Sequence, residues 1–404
     1  MYGRGKADDL YSVALSGKDF DGFWRRRRRW TLRNAIRRSR AANKRQRRLA
    51  RDAELLIPYA KTPGLKNGGG KALVLADLSG GNGLSRAAQY EITQIRLSHD
   101  DVVTVDVSAR MASRDAPITV DREQVYDVVI LLCQPETYAR VLPLFRPEQL
   151  AGAYRIGLWV WETPLFPSDW TFALDIVHEI WTPSAFVAAA IQRGTDLPVT
   201  LRPHAVRAPE VVEEVTRSAF GVPEGAFLGL AIMDLRSCPT RKNPWAHVEA
   251  WQRAFGSDPD CVLLLKVRLG KKSRIVEGEL REMIELAGNI RILEQDMSDS
   301  EIAGFQRLAD VYLSLHRSEG YGLNIHEFLL LDVPVVATDW SANAEYGPGF
   351  ANYHPVKYRL EPYRDWTGHF GDDSFQWATA DVDDAARTLR KIAAQRAPAI
   401  AGAC

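Results

Sequence analysis

Two carboxylates, Glu319 and Glu327, stand eight positions apart and bracket a turn that holds Gly320 and Gly322, within HRSEGYGLNIHE. A carboxylate before the turn can accept hydrogen bonds from sugar hydroxyls, and a second beyond it can hold another diol. The glycines let backbone NH groups approach a ligand closely, and a helix beginning near Leu323 points its positive end at any phosphate there. His316 ends the apolar stretch before the turn. It reads either as a cleft-lining side chain or as a satisfied buried histidine. A second cluster, Arg236, Arg241 and Lys242 in MDLRSCPTRKNPW, supplies guanidinium and ammonium groups of the kind that suit a diphosphate. The bland reading is a set of solvated loop charges. A third feature is the glycine group Gly80, Gly81 and Gly83, where Gly81 and Gly83 would let NH groups and a helix start face an anion. It lacks the GxGxxG dinucleotide spacing, and a tight strand-to-helix turn accounts for it equally well.

Each group falls where an apolar strand hands over to a helix. Strands are predicted at KALVLADL (71–78), 101–107, 127–133, 154–161 and 179–184, and again at 226–234, 261–267, 290–293, 311–316 and 333–338. Helical stretches such as PWAHVEAWQRAF and SDSEIAGFQRLA lie between them. This alternation implies an α/β architecture with parallel sheets covered by helices, in which ligands bind at the carboxyl ends of the strands. A proline-rich break at 198–210 separates two units of similar size. The expected division is a basic arm and linker over 1–69, a first domain over 70–205, a second over 206–375, and a terminal segment over 376–404.

The stretch EGYGLNIHE, with its apolar helix and the following VPVVAT, resembles the EX7E region of family 4 glycosyltransferases of the GT-B fold. RKNP resembles that family's phosphate segment, WVWETPLFPSDW with EIWTPSAF the end of its first domain, and FQWATADVDDAARTLRKI its terminal helix. The four segments run in order from about residue 72 to 395. The resemblance implies two Rossmann-like domains facing a cleft, with the terminal helix crossing back to the first. It implies that Glu327 binds the donor ribose and that Glu319 holds hydroxyls of the transferred sugar. Backbone groups from Gly320 through Tyr321, Gly322, Leu323 and Asn324 would take sugar and phosphate, Arg241 with Lys242 the diphosphate, and Arg236 would assist. His316 and Arg317 would line the cleft. A retaining transfer of a hexose follows, from a GDP-mannose-like donor to a glycan or lipid-linked glycan, with no cofactor. Two departures stand out: Asp332 replaces the glycine before the x-P-V strand, and His178 replaces a common aspartate. Asp tolerates the left-handed cap, so the turn can survive.

The net charge of +1 conceals an uneven distribution. Residues 25–51 hold 14 Lys or Arg and no acid, which leaves 38 basic against 51 acidic groups elsewhere, a balance of −13. Aromatics at Phe20, Phe23, Trp24 and Trp30 interleave with the arginines. Such an arm over residues 20–51 suits an anionic membrane surface, where each engaged charge is worth about 1 kcal/mol. Nucleic acid is the competing partner, disfavoured by the acidic remainder, and a solvated tail is the plain alternative. No run of apolar residues is long enough to span a bilayer. Four irregularly spaced cysteines and the absence of a secretory pattern point to a cytoplasmic protein, peripheral on the inner face of the cell membrane.

Asp381-Val382-Asp383 spells the DxD of metal-dependent transferases but precedes AARTLRKI, so it reads as a helix cap, and no metal is expected. Two further classes remain: a nucleotide-sugar epimerase of the same fold, and a non-catalytic nucleic-acid or scaffold protein driven by the arm.

Overall fold

A computed structural model describes residues 45–401, apart from 81–82, 212–214, 271–272, 286, 366–369 and 371–373. Gly81 and the arm residues 20–44 lie outside the described residues.

The first sheet comprises β1 (Ala72–Ala76), β2 (Val102–Asp106), β3 (Val128–Leu132), β4 (Tyr154–Leu158), β5 (Glu179–Thr182) and β6 (Val199–Leu201). Its order is β2-β1-β3-β4-β5-β6, with every pairing parallel. β1 and β3 are buried along their whole length, because helices cover both faces, and this is why they read as unbroken apolar runs. The second sheet comprises β7 (Phe227–Asp234), β8 (Cys261–Arg268), β9 (Ile290–Leu293), β10 (Val311–Ser314), β11 (Val335–Thr338) and β12 (Tyr353–Val356), in the parallel order β12-β11-β10-β7-β8-β9. The direction of winding reverses between β1 and β3 in one sheet and between β7 and β10 in the other. Those reversals open the crevices in which α/β proteins hold ligands.

The helices that matter for the site are α1 (Gly83–Ser98), α2 (Ala185–Gln192), α3 (Pro239–Lys242), α4 (Pro244–Phe255), α5 (Asp299–Arg307), α6 (Leu323–Leu330) and α7 (Val382–Ala401). Local chemistry sets their ends. Ser298 accepts from Glu301 N (3.2 Å) while Glu301 accepts from Ser298 N (2.7 Å), a capping box that fixes the start of α5. Asp332 adopts φ +60 after α6, so the left-handed turn survives without glycine. Asp381 accepts from Asp384 N (3.0 Å), so the DxD acids sit at the start of α7.

Three expectations are corrected. The terminal helix does not cross back: Ala385, Leu389 and Ile392 of α7 pack into the second domain's core, Arg253 pairs with Asp383 (2.7 Å) and Arg396 donates to Ala226 O. It is the antiparallel hairpin before it, β13 (Tyr358–Pro362) and β14 (Gln376–Ala380), that reaches the first domain. Tyr363, Phe370, Phe375 and Trp377 sit in that domain's core with Trp161 and Trp170. Secondly, the arm is not separate up to residue 69. Residues 45–56 are helical, Leu56 and Tyr59 are buried in the first domain's core, Arg114 bonds Asp52 (2.5 Å) and Arg45 pairs with Asp169. Thirdly, β6, β12, β13 and β14 add strands that apolar patterning missed. β6 and β13 are mostly exposed edges, and QWATA of β14 runs directly into a helical pattern.

Candidate active site

A cavity of about 710 Å3 lies between the two domains, lined from the first by Gly83, Arg86, Val160 and Glu162, and from the second by the loops after β7 and β10. Cys238 and Asn243 bracket the short helix α3, which carries both Arg241 and Lys242. Asn243 takes φ +51 and donates to Leu315 O (3.0 Å), so the chain turns at once into α4, started by Pro244. His247, one turn into α4, is held between Asn243 O (3.0 Å) and Leu315 N (3.0 Å). Since Leu315 N can only donate, Nε2 is the acceptor and Nδ1 carries the proton. This fully used imidazole clamps the end of β10 to the cationic loop.

Glu319 lies at the centre. Arg241 Nη1 approaches its Oε2 at 3.0 Å and Lys242 Nζ its Oε1 at 2.5 Å. The same guanidinium donates to Ser318 O (2.8 Å) and stands 3.4 Å from Glu162 of the first domain. Burial alone would raise the Glu319 carboxyl; Arg241 and Lys242 reverse that and hold it well below the usual carboxylate range. Burial likewise works against the Arg241 charge, but the Glu319 and Glu162 carboxylates outweigh it and raise its pKa. The centre is thus a buried carboxylate and two cations, with protons left over on Lys242 for a further acceptor.

The glycines act by contact. A Cβ on Gly320 would stand 2.7 Å from Trp161 O, so only glycine lets this turn touch the first domain. Gly322 takes φ +86 and starts α6, with Tyr346 Oη donating towards Tyr321 O (2.9 Å) and Gly322 O (3.0 Å). Tyr321 Oη lies between His204 O (3.2 Å) and His326 Nδ1 (2.9 Å), tying the turn to the interdomain segment. Leu323 faces Gly83 across the cleft. His316 lines the cavity, 1% exposed, and among the described residues neither ring nitrogen has a partner at hydrogen-bond geometry; burial pushes it down to about 4, so the imidazole is neutral.

Three predicted residues are placed differently from expectation. Arg317 does not line the cavity and instead reaches Thr379 and Glu361 of the β13–β14 hairpin. Glu327 does not line the cavity. It is 1% exposed on its side chain, and its Oε2 is taken by Arg86 Nη1 (2.7 Å) and Gln306 Nε2 (3.0 Å). Arg86 also donates to Asn324 Oδ1 (2.7 Å), while Asn324 Nδ2 reaches Ile232 O (3.4 Å). Arg236 lines the cavity but forks onto Asp234 (Nη2–Oδ2 2.5 Å, Nε–Oδ1 3.0 Å) instead of joining Glu319. His178 is buried away from the cleft, accepting from Arg155 N (2.9 Å).

Sequence reading missed Glu162, Arg86 and Lys266. The signals were present: Glu162 follows the aromatic WVW, Arg86 comes one turn after Gly83, and Lys266 interrupts an otherwise apolar strand.

No known family's sequence pattern matches the chain, and no curated protein sequence does. Solved structures do match in shape. Sucrose-phosphate synthase from Thermosynechococcus elongatus superposes with a TM-score of 0.54 at 12% identity, over 81% of this chain and 91% of that one. A glycosyltransferase from Rickettsia africae gives 0.53 at 14%, over 72% and 84%. The chain has the GT-B glycosyltransferase fold. HepE from Anabaena, solved in complex with UDP-glucose, gives 0.50 at 15%, over 68% and 82%. Among the described residues no helix is long and apolar enough to cross a membrane.

Proposed function

We propose that this GT-B chain is a retaining glycosyltransferase that moves a hexose from a nucleoside-diphosphate sugar to a glycan or lipid-linked glycan. The observation that carries the reading is the Glu319 carboxylate held between Arg241 and Lys242 at the β7/β10 reversal, directly before the start of α6. In it, Glu319 takes hydroxyls of the hexose, and Lys242, Arg241 and the amino end of α6 stabilise charge on the departing diphosphate, the electrostatic contribution that is usually largest in such sites. The bond from the acceptor oxygen to the anomeric carbon forms on the face from which the phosphate oxygen leaves, and that oxygen takes the acceptor's proton. The charge on the diphosphate is met by side chains, so the reaction is metal-independent and a chelator leaves the rate unchanged. Glu327 serves the ribose once Arg86 turns towards the nucleotide. UDP-glucose and GDP-mannose are the donors to compare, the first because of the ligand in the HepE structure, the second because of the motif resemblance.

The membrane reading belongs to the same proposal: residues 20–51 dock the enzyme on an anionic surface, at the cytoplasmic face, where a lipid-linked acceptor would be presented.

The deciding experiment is thermal stabilisation by a panel of nucleoside diphosphates, followed by product analysis with and without acceptors. Stabilisation by UDP or GDP and sugar transfer only when acceptor is present support the reading. An altered donor sugar formed without acceptor would make the protein an epimerase. Glu327→Ala should weaken nucleotide binding and Glu319→Ala should mainly lower turnover.

A further inference from the structure

Lys266 is the feature of the cavity that the diphosphate and sugar contacts leave unexplained. It projects from β8, which is otherwise apolar up to Val267, and is 5% exposed, yet its side chain lines the cavity. Among the described residues its ammonium makes no hydrogen bond and no ion pair. The acid nearest in sequence on the paired strand, Asp234, is already neutralised by Arg236. Burial pushes the lysine below its usual pKa and Arg268 acts in the same direction, with Asp296 and Asp234 opposing. An ammonium carries three donors and no acceptor, so this one, facing the cavity without a protein partner among the described residues, is placed to donate to a ligand atom with a free lone pair.

Position says which part of a ligand this is. The sugar and diphosphate groups, Glu319, Arg241 and Lys242, stand on the loops after β10 and β7. Lys266 stands on β8, on the far side of β7 from β10, two strand spacings or roughly 10 Å from the β10 end. On the intervening β7, Ile232 O accepts from Asn324, itself bonded by Arg86, and Ile232 is the register partner of Lys266. The cavity lining here mixes charged Asp234, Arg236 and Arg268 with apolar Ile232, Met297 and Ile302, and the apolar side chains suit the flat faces of an aromatic ring.

Resting on the nucleotide-sugar reading above, we propose that Lys266 is a specificity residue for the base: its ammonium donates to a ring carbonyl oxygen, so the site takes keto bases, uracil or guanine, and rejects cytosine and adenine. The rejected bases present an amino group at the corresponding edge, which sets donor against donor.

The test is calorimetric titration of the full chain with UDP, CDP, GDP, ADP and inorganic pyrophosphate, repeated with Lys266→Met and Lys266→Gln. UDP and CDP differ at the edge in question while sharing ribose and diphosphate. The unmodified protein is expected to bind UDP over CDP, and GDP over ADP, by about tenfold or more, the size of one buried donor–acceptor match. Lys266→Met should reduce both ratios to near one and leave pyrophosphate affinity unchanged. Lys266→Gln, whose amide can present either a donor or an acceptor, should do the same and keeps the comparison available if the methionine variant does not fold. Equal binding of all four nucleotides by the unmodified protein, a preference that survives both substitutions, or a parallel loss of pyrophosphate affinity would each overturn the assignment. Failure of every nucleotide to bind the folded protein would instead overturn the nucleotide-sugar reading itself.

Discussion

Arg86 and Glu327, 241 positions apart in the chain, meet at 2.7 Å across the boundary between the two domains. The glutamate is buried and the arginine about one-quarter exposed on its side chain, so the first domain supplies the charge that the second domain's interior needs. Removing one partner of such a pair costs more than removing both, because an unpaired buried charge remains. Arg86→Met is therefore expected to lower unfolding stability by about 3 kcal/mol, with Glu327→Gln in the same chain restoring most of it. Urea titrations of the two single variants and the double variant read this directly. A double variant no more stable than Arg86→Met would show that the two residues do not act on each other.

Lys242 touches Glu319 and, in the proposed reaction, the departing phosphate. Lys242→Met should reduce kcat by roughly 100- to 1000-fold, the usual size for loss of one preorganised charge at a developing anion. Nucleotide release under single-turnover conditions measures it. A change below about fivefold would take Lys242 out of the chemical step.

Gly320 touches the first domain so closely that a methyl group would meet Trp161 O at 2.7 Å and Val160 Cγ1 at 2.9 Å. Gly320→Ala should force the domains apart and abolish turnover, while Gly83→Ala, whose nearest neighbour across the cleft is Leu323 Cδ1 at 3.8 Å, should keep most of it. Small-angle scattering of Gly320→Ala would show a more open molecule. Unchanged scattering with full activity would contradict the contact.

Three histidines, His247, His316 and His326, are each pushed down to about 4, burial being the largest cause in every case. The unfolded chain, titrating near 6.5, binds more protons than the folded one between about pH 6.5 and 4. Stability is thus fully present above that window and falls as pH drops through it, by up to about 1.4 kcal/mol per pH unit for each histidine. His316→Leu, which removes the titrating ring, should flatten the slope measured by denaturant unfolding across this range. An identical slope in the variant would mean that His316 is protonated in the folded state.

The basic arm is cut by its own packing. Deleting residues 1–44 should leave the fold and any activity on a soluble acceptor intact and abolish binding to anionic vesicles. Extending the deletion through Tyr59 should destabilise the first domain, because Leu56 and Tyr59 fill its core and Asp52 anchors Arg114. Vesicle flotation and melting curves separate the two effects, and vesicle binding retained by the shorter deletion would end the membrane reading.

Much of this architecture was legible in the sequence because its strands are buried on both faces, so 128–132 or 261–267 announce themselves as apolar runs. The Glu319 turn was legible for a different reason: glycines at 320 and 322 next to a carboxylate have few other uses. What sequence could not supply was partnership. The pairing of Arg86 with Glu327, the fork of Arg236 onto Asp234 and the seating of the β13–β14 hairpin depend on contacts between residues far apart in the chain. The strand QWATA was hidden because it is short, is buried at four successive positions with no alternation, and runs directly into α7.

The hairpin has a consequence for how the protein is made. Trp161 and Trp170 leave the ribosome some two hundred residues before Phe370, Phe375 and Trp377, the rings that complete their surroundings. Until then the nascent amino-terminal half lacks the rings that pack against its aromatics, and its interior is complete only once residue 377 has been synthesised. A gene split at the proline-rich junction would accordingly yield one fragment with an empty socket and another with a bare aromatic plug, soluble only when the two are produced together.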